Sequence, residues 1–214
     1  MFRVPDKVVA RLSLYRRLLS ALAAENVDYV YSHELAKAAG ASAAQVRRDV
    51  MIVGFTGSPT KGYEIRELIK AIGRLLDAAD IQEVALVGVG NLGRAILAYF
   101  AGRRPNLRIA VSFDKDPAKV DRVIHGCRCY PIEQLQTMVA ERQIDTAIVA
   151  VPADQAQHAV DLLVGAGVCG LLNFAPVRLR VPPSVFVEDM DLTTSLEKVA
   201  FFARRQASLQ EQQR

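Results

Sequence analysis

Three glycines, at positions 88, 90 and 93, stand between an apolar run that ends at Val87 and a segment with helical periodicity. The first glycine permits a tight turn, the second lets a ligand approach the backbone, and the third lets a helix pack close to the preceding strand. A helix that begins here also presents unpaired N–H groups, which favour phosphate. The pattern predicts a pyrophosphate-binding loop with the candidate contacts Gly88, Val89, Gly90, Asn91, Leu92 and Gly93.

A second apolar run, residues 109–113, ends in Asp114, about twenty residues after the glycines, as in dinucleotide-binding β-α-β units. We expect Asp114 to accept hydrogen bonds from the adenosine ribose hydroxyls and to repel the 2′-phosphate of NADP. Lys115 follows directly and would tolerate a phosphate if it faced the ligand, but we expect it to point to solvent at the strand end. The predicted cofactor is therefore NAD(H).

Two further loops follow predicted strands. Val151-Pro152 comes after the strand 146–150, and Asn173-Phe174 comes at the end of the strand 170–173. Because ligands of open α/β sheets bind at the carboxyl edge of the strands, these four residues are candidate walls of a nicotinamide pocket. Two roles stay open for Phe174, which packs either on the face of the ring or in the core.

The residue pattern changes near residues 77–80. Helical patterns with one short strand precede this point, and strands alternate with helices after it, which predicts an α/β protein with a small α-rich domain at residues 1–78 and a parallel-sheet domain at 79–191. Residues 192–214 would form a dimerisation helix, over 192–206, and a polar tail. The apolar side of this helix would be buried against its own domain or a partner subunit, through Leu192, Leu196, Val199, Ala200, Phe202 and Ala203.

The expected elements follow from periodicity. In the first domain they are helices at 7–24, 33–39, 43–53 and 65–76 and a short strand at 29–31. In the second they are, after the glycine unit, strands at 110–113, 146–150, 170–173 and 185–188 and helices at 131–142 and 153–166.

Two short helices around Gly40 form a helix-turn-helix pattern, with Ser32 and Ser42 as the expected N-caps. The second helix would enter the major groove of DNA, with Ser42, Ala43, Gln45 and Val46 near its leading end. Arg47 and Arg48 would meet phosphates or bases. Residues 54–65 are rich in Gly, Ser, Pro and Thr and are expected to form a β-hairpin wing.

Composition narrows the possible classes. The 214 residues are about half apolar, carry a net charge of +4 and have a pI near 9.1, which permits nucleic-acid binding without arguing for it. No apolar run approaches the roughly 20 residues of a membrane span, and the first residues lack the apolar core of a signal peptide, so we expect a cytoplasmic protein without membrane association.

Three cysteines, Cys127, Cys129 and Cys169, do not provide the two pairs of a zinc site, so no metal site is predicted. We expect small buried or strand-edge side chains, with a redox role of the Cys127/Cys129 pair as the lesser alternative.

At this point the chain resembles the Rex family of redox-sensing transcriptional repressors along nearly its whole length. The matching segments are Arg11-Leu12-x-x-Tyr15, Gln45-Val46-Arg47-Arg48-Asp49, Gly62-Tyr63, Gly88 to Ala95, Phe113-Asp114-x-Asp116-Pro117-x-Lys119-Val120, Val151-Pro152-Ala153 and Gly170-x-Leu172-Asn173-Phe174-Ala175-Pro176-Val177.

The resemblance implies a homodimer with a winged-helix domain, a Rossmann-like domain that binds NAD(H) and a C-terminal helix exchanged between subunits. Family members bind inverted-repeat operators in double-stranded DNA when NADH is scarce, and NADH releases them. The family's switch residues correspond to Arg17, Tyr99 and Asp191. Exchange of an Asp–Arg pair for an Asp–Tyr hydrogen bond as subunits rotate would make a two-state element.

The wing departs from the family pattern. Ser58 and Pro59 stand where basic residues are common in the family, while Lys61 remains. Fewer cations imply fewer phosphate contacts and a shallower dependence on salt. We therefore expect Lys61, Arg47 and Arg48 to provide the cationic contacts with DNA.

Two other functions stay open. A small NAD-dependent oxidoreductase would need an acid–base group beside the nicotinamide, and the chain has no Tyr-x-x-x-Lys motif near the strand ends, so no catalytic residue is predicted. His33, His125 and His158 lie in the helix-turn-helix, a loop and a helix. A NAD-binding interaction protein that has lost DNA binding is the second alternative, because of the altered wing.

Overall fold

The chain forms two compact units, residues 1–79 and 80–214. The structure, a computed structural model, describes residues 4–102 and 106–211, with side chains described to residue 206. The expectations for the first three residues and for the end of the polar tail, residues 212–214, lie outside this part of the chain.

Unit 1 consists of four helices and a two-stranded antiparallel sheet within the described residues. The elements are α1 Asp6–Ala24, β1 Tyr29–Val30, α2 Ser32–Ala39, α3 Ala43–Ile52, β2 Tyr63–Glu64 and α4 Ile65–Leu76. The apolar positions of the helices recur at helical spacing, so one side of each faces a common core. Its fully buried members include Leu12, Leu19, Leu35, Val46, Ile65 and Leu68.

Two of the three predicted end signals of the helix-turn-helix, Gly40 and Ser42, are present. Gly40 ends α2 in the left-handed conformation, at φ 64°, and the Ser42 hydroxyl accepts a hydrogen bond from the backbone N–H of Gln45 at 3.1 Å. The expected cap at Ser32 is wrong, because Tyr31 precedes the helix and its N–H donates to the Glu34 carboxylate at 2.7 Å. This contact is half of a capping box, and it moves the start of α2 one residue towards the N-terminus.

The wing is shorter than the predicted hairpin over 54–65. Its two strands meet in one bridge between Ser58 and Gly62, and the residues that follow pair as β2 with β1 instead. The Ser58 hydroxyl accepts from the N–H groups of Thr60 and Lys61, which closes a tight turn rather than extending a ladder. Pro59, which has no N–H, is compatible with this turn and not with a longer strand.

Unit 2 contains a seven-stranded sheet with helices on both faces, within the described residues. The elements are β3 Gln82–Val87, α5 Asn91–Phe100, β4 Leu107–Asp114, β5 Val123–Ile124, β6 Cys127–Pro131, α6 Leu135–Glu141, β7 Thr146–Val149, α7 Ala153–Gly165, β8 Gly170–Asn173, β9 Phe186–Asp189 and α8 Leu192–Glu211. A 3₁₀ turn at Ile132–Gln134 precedes α6, so the helix predicted from residue 131 begins later.

The strand order is β5-β6-β4-β3-β7-β8-β9, and every neighbouring pair is parallel except β5 and β6. Without the short β5, this is the order of a Rossmann fold, in which the direction of winding reverses between the first and fourth strands, here β3 and β7. The carboxyl ends of these two strands therefore border the crevice where such folds bind ligands.

Strands β5 and β6 were not predicted from the sequence. Strand β6 contains Cys127 and Cys129, both buried, with Arg128 between them on the exposed side. This alternation is the signature of a strand, but it extends over too few residues to stand out. The expected burial of these two cysteines is correct, whereas Cys169 is exposed directly before β8.

Helix α8 extends beyond the predicted residues 192–206, and its described side chains, residues 192–206, are all exposed within one chain. The alternative in which α8 packs on its own domain is therefore wrong. Its apolar side chains are open to a partner, and they include Leu192, Leu196, Val199, Phe201 and Phe202. Among the helices of the described segments, none combines the length and the apolar character that crossing a bilayer requires.

Candidate functional site

The three glycines of the loop after β3 differ in what an added Cβ would meet. Gly88 has a φ of 95°, and a Cβ at this position would collide with the carbonyl oxygen of Ala150 at the end of β7. A Cβ at Gly93 would collide with the carbonyl of Gly88, so the helix can approach the strand only without a side chain here. Gly90 differs, because a Cβ there would meet nothing within 4 Å. The space beside Gly90 is where a phosphate would approach the backbone.

Asp114 ends β4 with its carboxylate almost fully buried. One oxygen, Oδ2, accepts from the backbone N–H of Val89 at 2.8 Å and from the ammonium group of Lys119 at 3.1 Å. The other, Oδ1, accepts from the backbone N–H of Asp116 at 2.9 Å. The carboxylate thus links the glycine loop to the turn after β4.

These contacts keep Asp114 ionised. Burial opposes the charged form, but the backbone hydrogen bonds from Asp116 and Val89 and the interaction with Lys119 outweigh it, so the pKa of Asp114 lies below its usual value. A carboxylate at this place is an acceptor for hydroxyl groups.

A cavity of about 540 Å³ opens at the carboxyl ends of β3, β4 and β7. Of the predicted cofactor residues, those that line it are Gly88, Gly90, Asp114, Val151 and Pro152. The other residues of the lining were not predicted as cofactor contacts, and they include Phe113, Lys119, Ile132, Gln155, His158 and Ala159. The three on α7 recur at the three- and four-residue spacing of one helix face, which was the available signal.

The remaining predicted cofactor residues lie elsewhere. Val89 is buried and acts through its N–H, whereas Asn91 and Leu92 are exposed in the first turn of α5. The Asn173 side chain is buried; its amide group donates to Val177 O at 3.0 Å and Asp189 Oδ1 at 2.8 Å, and its oxygen accepts from Ala175 N–H at 2.9 Å.

Asn173 therefore ties the end of β8 to the following loop and to β9. Phe174 packs against the apolar cluster beneath α5, which agrees with the core alternative. A nicotinamide contact of either residue stays a prediction.

In unit 1, Arg47 and Arg48 are exposed on α3. The Arg47 guanidinium donates to the Ser32 hydroxyl at 3.2 Å, and the Arg48 guanidinium donates to the side-chain oxygen of Gln45 at 2.9 Å. Lys61 is exposed on the wing, with its ammonium group 5.5 Å from the centre of the Tyr29 ring. These three side chains are accessible to a nucleic acid.

Val46 was placed near the leading end of the recognition helix, and this is wrong for a DNA contact because its side chain is fully buried in the core of unit 1. Gln45 is half-buried, and its amide group donates to the buried Asp49 carboxylate at 2.9 Å. Its side-chain oxygen accepts a hydrogen bond from the Arg48 guanidinium, so both polar groups of the Gln45 amide are hydrogen-bonded within α3.

The three residues that correspond to the family's switch are distributed over both units. Arg17 is exposed on α1 in unit 1, and Tyr99 is exposed near the end of α5, edge-on to Phe100 at 5.2 Å between ring centres. Asp191 precedes α8 and accepts from the N–H and the hydroxyl of Thr194, as a helix N-cap does. The hydrogen bonds from Thr194 lower the pKa of Asp191.

Comparison with known proteins adds two family matches. Residues 79–177 match the CoA_binding family, the CoA binding domain, and residues 3–50 match the Put_DNA-bind_N family of DNA-binding protein N-termini. The second match covers the helices α1 to α3 up to Val50, and the first covers the sheet from β3 to β8.

Curated relatives match almost the full length of the chain. Proteins named redox-sensing transcriptional repressor Rex are 38% identical in Lactobacillus acidophilus, over 94% of this chain and 95% of theirs, and 39% identical in Chloroflexus aurantiacus, over 94% and 95%. The one from Carboxydothermus hydrogenoformans is 38% identical over 95% of this chain and 98% of its own.

Solved structures agree with these matches. The crystal structure of RSP, a Rex-family repressor, has a TM-score of 0.86 and 29% identity, with complete coverage of both chains. RSP has also been solved with β-NAD⁺ and operator DNA, at a TM-score of 0.87 and 29% identity over 100% of this chain and 98% of that one, and with β-NADH. This chain therefore belongs to the Rex family of redox-sensing transcriptional repressors.

Proposed function

We propose that this protein is a redox-sensing transcriptional repressor of the cytoplasm that binds an inverted-repeat DNA operator as a homodimer and leaves it when NADH binds. It senses the NADH/NAD⁺ ratio and is not an enzyme. Unit 1 contacts DNA, and unit 2 binds the dinucleotide.

The observation that supports this most is the cavity beside Gly90, bordered by the buried, ionised Asp114 at the point where the sheet reverses its winding. The residues fit an adenosine dinucleotide. The loop offers backbone N–H groups and a helix N-terminus to a pyrophosphate, and Asp114 offers an acceptor to a ribose hydroxyl. Apolar side chains such as Ile132 and Val151 give an adenine ring its walls.

The nicotinamide end would lie towards the end of β8. Asn173 and Phe174 would form this part of the site, with Asn173 stabilising the loop through its contacts to Val177 and Ala175. When bound, the cofactor reports its redox state through the charge of the nicotinamide, which is positive in NAD⁺ and neutral in NADH. An apolar surrounding favours the neutral form.

Helix α3 would be the recognition helix. Arg47 and Arg48 would contact bases or phosphates and Lys61 would contact phosphate from the wing, while the Ser42 cap places the helix N-terminus for a backbone phosphate. Gln45 would act mainly by holding Arg48.

Release by NADH requires a two-state element. We propose that Arg17, Tyr99 and Asp191 exchange partners between two arrangements of the dimer, and that α8, with its exposed apolar side, is the helix exchanged between subunits. A differential affinity of NADH of roughly a hundredfold for the arrangement that does not bind DNA corresponds to about 2.7 kcal/mol per site.

The test is a DNA-binding titration of the full chain with genomic fragments, repeated at one salt concentration with NADH, with NAD⁺ and with neither. We expect NADH to weaken DNA binding and NAD⁺ to leave it intact. Equal affinity with and without saturating NADH would overturn the sensor function, and a lack of any specific binding would favour an interaction protein without DNA binding. A turnover assay with NADH and carbonyl compounds is expected to show no reaction.

A further inference from the structure

The Asp114 carboxylate has little accepting capacity left. A carboxylate has about four lone-pair directions. Among the described residues, three donors already use them: the N–H groups of Val89 and Asp116 and the ammonium group of Lys119. Oδ2 takes two of these bonds and Oδ1 takes one, so one position on Oδ1 remains for a ribose hydroxyl.

Lys119 reaches Asp114 because the chain turns back after β4. The Asp116 carboxylate accepts from the N–H of Ala118 at 2.9 Å, and the Asp116 carbonyl accepts from the N–H of Lys119 at 3.0 Å. This turn places the ammonium group 3.1 Å from Asp114 and 3.5 Å from Asp116. The spacing Asp-x-Asp-Pro-x-Lys thus encodes an ion pair at the rim of the cavity.

The ion pair changes the electrostatics of the ribose position. Residues 114–119 contain two carboxylates, Asp114 and Asp116, and two ammonium groups, Lys115 and Lys119, so the formal charge of this segment is balanced. The Lys119 side chain is only 24% exposed, so water screens its charge less than that of the exposed Lys115. An unpaired aspartate would instead repel any added anion on the ribose.

We propose that Lys119 determines how strongly this site rejects a 2′-phosphate on the adenosine ribose. By neutralising Asp114 it weakens the repulsion between the carboxylate and the phosphate, and it offers the phosphate a donor. The protein therefore discriminates between NADH and NADPH less than a site with an unpaired aspartate would. This inference rests on the proposed function, because it takes the cavity to be the NAD(H) site.

The structure assigns this role to Lys119 and not to the lysine next to Asp114 in the sequence. Lys115 is adjacent to Asp114 along the chain and lines the same cavity, but the ion pair of Asp114 is made by Lys119, five residues away. The two lysines are thus a matched pair for experiment, with the same charge and different contacts.

The experiment titrates the full chain with NADH and, separately, with NADPH, and follows the ratio of the two dissociation constants. In Lys119→Met we expect this ratio, Kd for NADPH over Kd for NADH, to rise about tenfold or more, as expected for one unit charge lost a few ångströms from the phosphate. Lys119→Arg keeps the charge and should keep a ratio near that of the unsubstituted protein. Lys115→Met should change the ratio by less than about threefold, because its charge is screened.

An unchanged ratio in Lys119→Met, or an equal change in Lys115→Met, would overturn the assignment. Lys119→Gln repeats the loss of charge with a polar side chain, and a thermal melt of each variant reports on folding. These results are separable from the proposed function. If the unsubstituted protein bound neither dinucleotide, the site itself would be wrong, whereas normal NADH binding with a constant ratio would reject only the role of Lys119.

Discussion

Arg11 donates two parallel hydrogen bonds to the carboxylate of Asp49, Nε to Oδ2 at 2.6 Å and Nη2 to Oδ1 at 2.8 Å. The Tyr15 hydroxyl donates to Oδ2 at 3.0 Å and the Gln45 amide to Oδ1 at 2.9 Å. Asp49 is only 1% exposed, so this network joins α1 to the recognition helix from inside the unit. Through Gln45 it extends to Arg48.

We expect Asp49→Ala to lower the free energy of unfolding of unit 1 by about 2–4 kcal/mol, because it leaves the Arg11 guanidinium and the Tyr15 hydroxyl without their shared partner. Urea denaturation of the full chain measures this. Tyr15→Phe is the control, since it removes one neutral donor and should cost about 1 kcal/mol. A loss in Asp49→Ala no larger than in Tyr15→Phe would contradict the proposed strength of the network.

The same network predicts a dependence on pH. Burial opposes ionisation of Asp49, but hydrogen bonds from Arg11, Gln45 and Tyr15 outweigh it, and its pKa lies below the usual 3.8. The folded state therefore binds the proton less readily than the unfolded state. The contribution of Asp49 is complete above about pH 4 and is lost as the pH falls through the folded pKa. Unfolding measured between about pH 5 and 2 should show a shallower decline in Asp49→Asn than in the unsubstituted protein.

Gly90→Val should abolish NADH binding and leave the fold intact. The backbone at Gly90 has a φ of −77°, and a Cβ there meets no protein atom within 4 Å, so the added side chain would occupy only the space of the pyrophosphate. A fluorescence titration with NADH checks the loss of binding, and a thermal melt checks that the fold is intact. Gly93→Ala is the matched contrast, because its Cβ collides with the Gly88 carbonyl and should destabilise unit 2. Normal NADH binding by Gly90→Val would move the site elsewhere.

Asp114→Ala should weaken NADH binding by about 1–3 kcal/mol, through the lost charged hydrogen bond to the ribose. Asp114 also accepts a hydrogen bond from the Val89 N–H, so a part of the lost affinity comes from a less well held glycine loop. Calorimetric titration with NADH and with adenosine diphosphate separates the ribose contact from the nicotinamide end, since both ligands should lose affinity to a similar extent. Unaltered affinity for both would reject the ribose contact.

Replacing Leu196 and Phe202 by Asp should convert the dimer into monomers. Both side chains are more than half exposed in one chain, at 69% and 61%, and an interface must bury them for α8 to be stable in water. Light scattering of the variant gives the mass, and Glu197→Gln, an exposed position on the same helix, is the control. A double variant that remained a dimer would show that α8 does not form the interface.

Arg47→Ala and Arg48→Ala should each weaken operator binding, by about 1–3 kcal/mol where the arginine reads a base and by less where it meets only a phosphate. The two cases differ in salt dependence, because loss of a phosphate contact reduces the slope of log affinity against log salt by about one. Titrations at three salt concentrations measure this. Gln45→Ala should weaken operator binding less than Arg48→Ala does, because Gln45 acts by holding the Arg48 guanidinium.

Local signals predicted much of this fold. Gly40 and Ser42 set helix ends through backbone conformation and one side-chain hydrogen bond, and the boundaries of α4, Ile65–Leu76, follow from its apolar spacing. Contacts between segments were not predictable in this way. The ion pair of Asp114 with Lys119 depends on a turn, and the burial of Val46 depends on which side of α3 meets α1. The wing is a shorter hairpin than predicted, because only Ser58 and Gly62 exchange backbone hydrogen bonds and the residues after Gly62 pair with β1.

The two cysteines of strand β6 bear on whether the protein responds to oxidants directly. Cys127 and Cys129 are buried, and burial raises the pKa of both thiols, which disfavours the reactive thiolate form. Hydrogen peroxide acts on thiolates, so these two sulfurs are poor targets for it. The repressor would thus respond to the balance of NADH and NAD⁺. It would not respond through these two sulfurs to peroxide that leaves the dinucleotide pool unchanged.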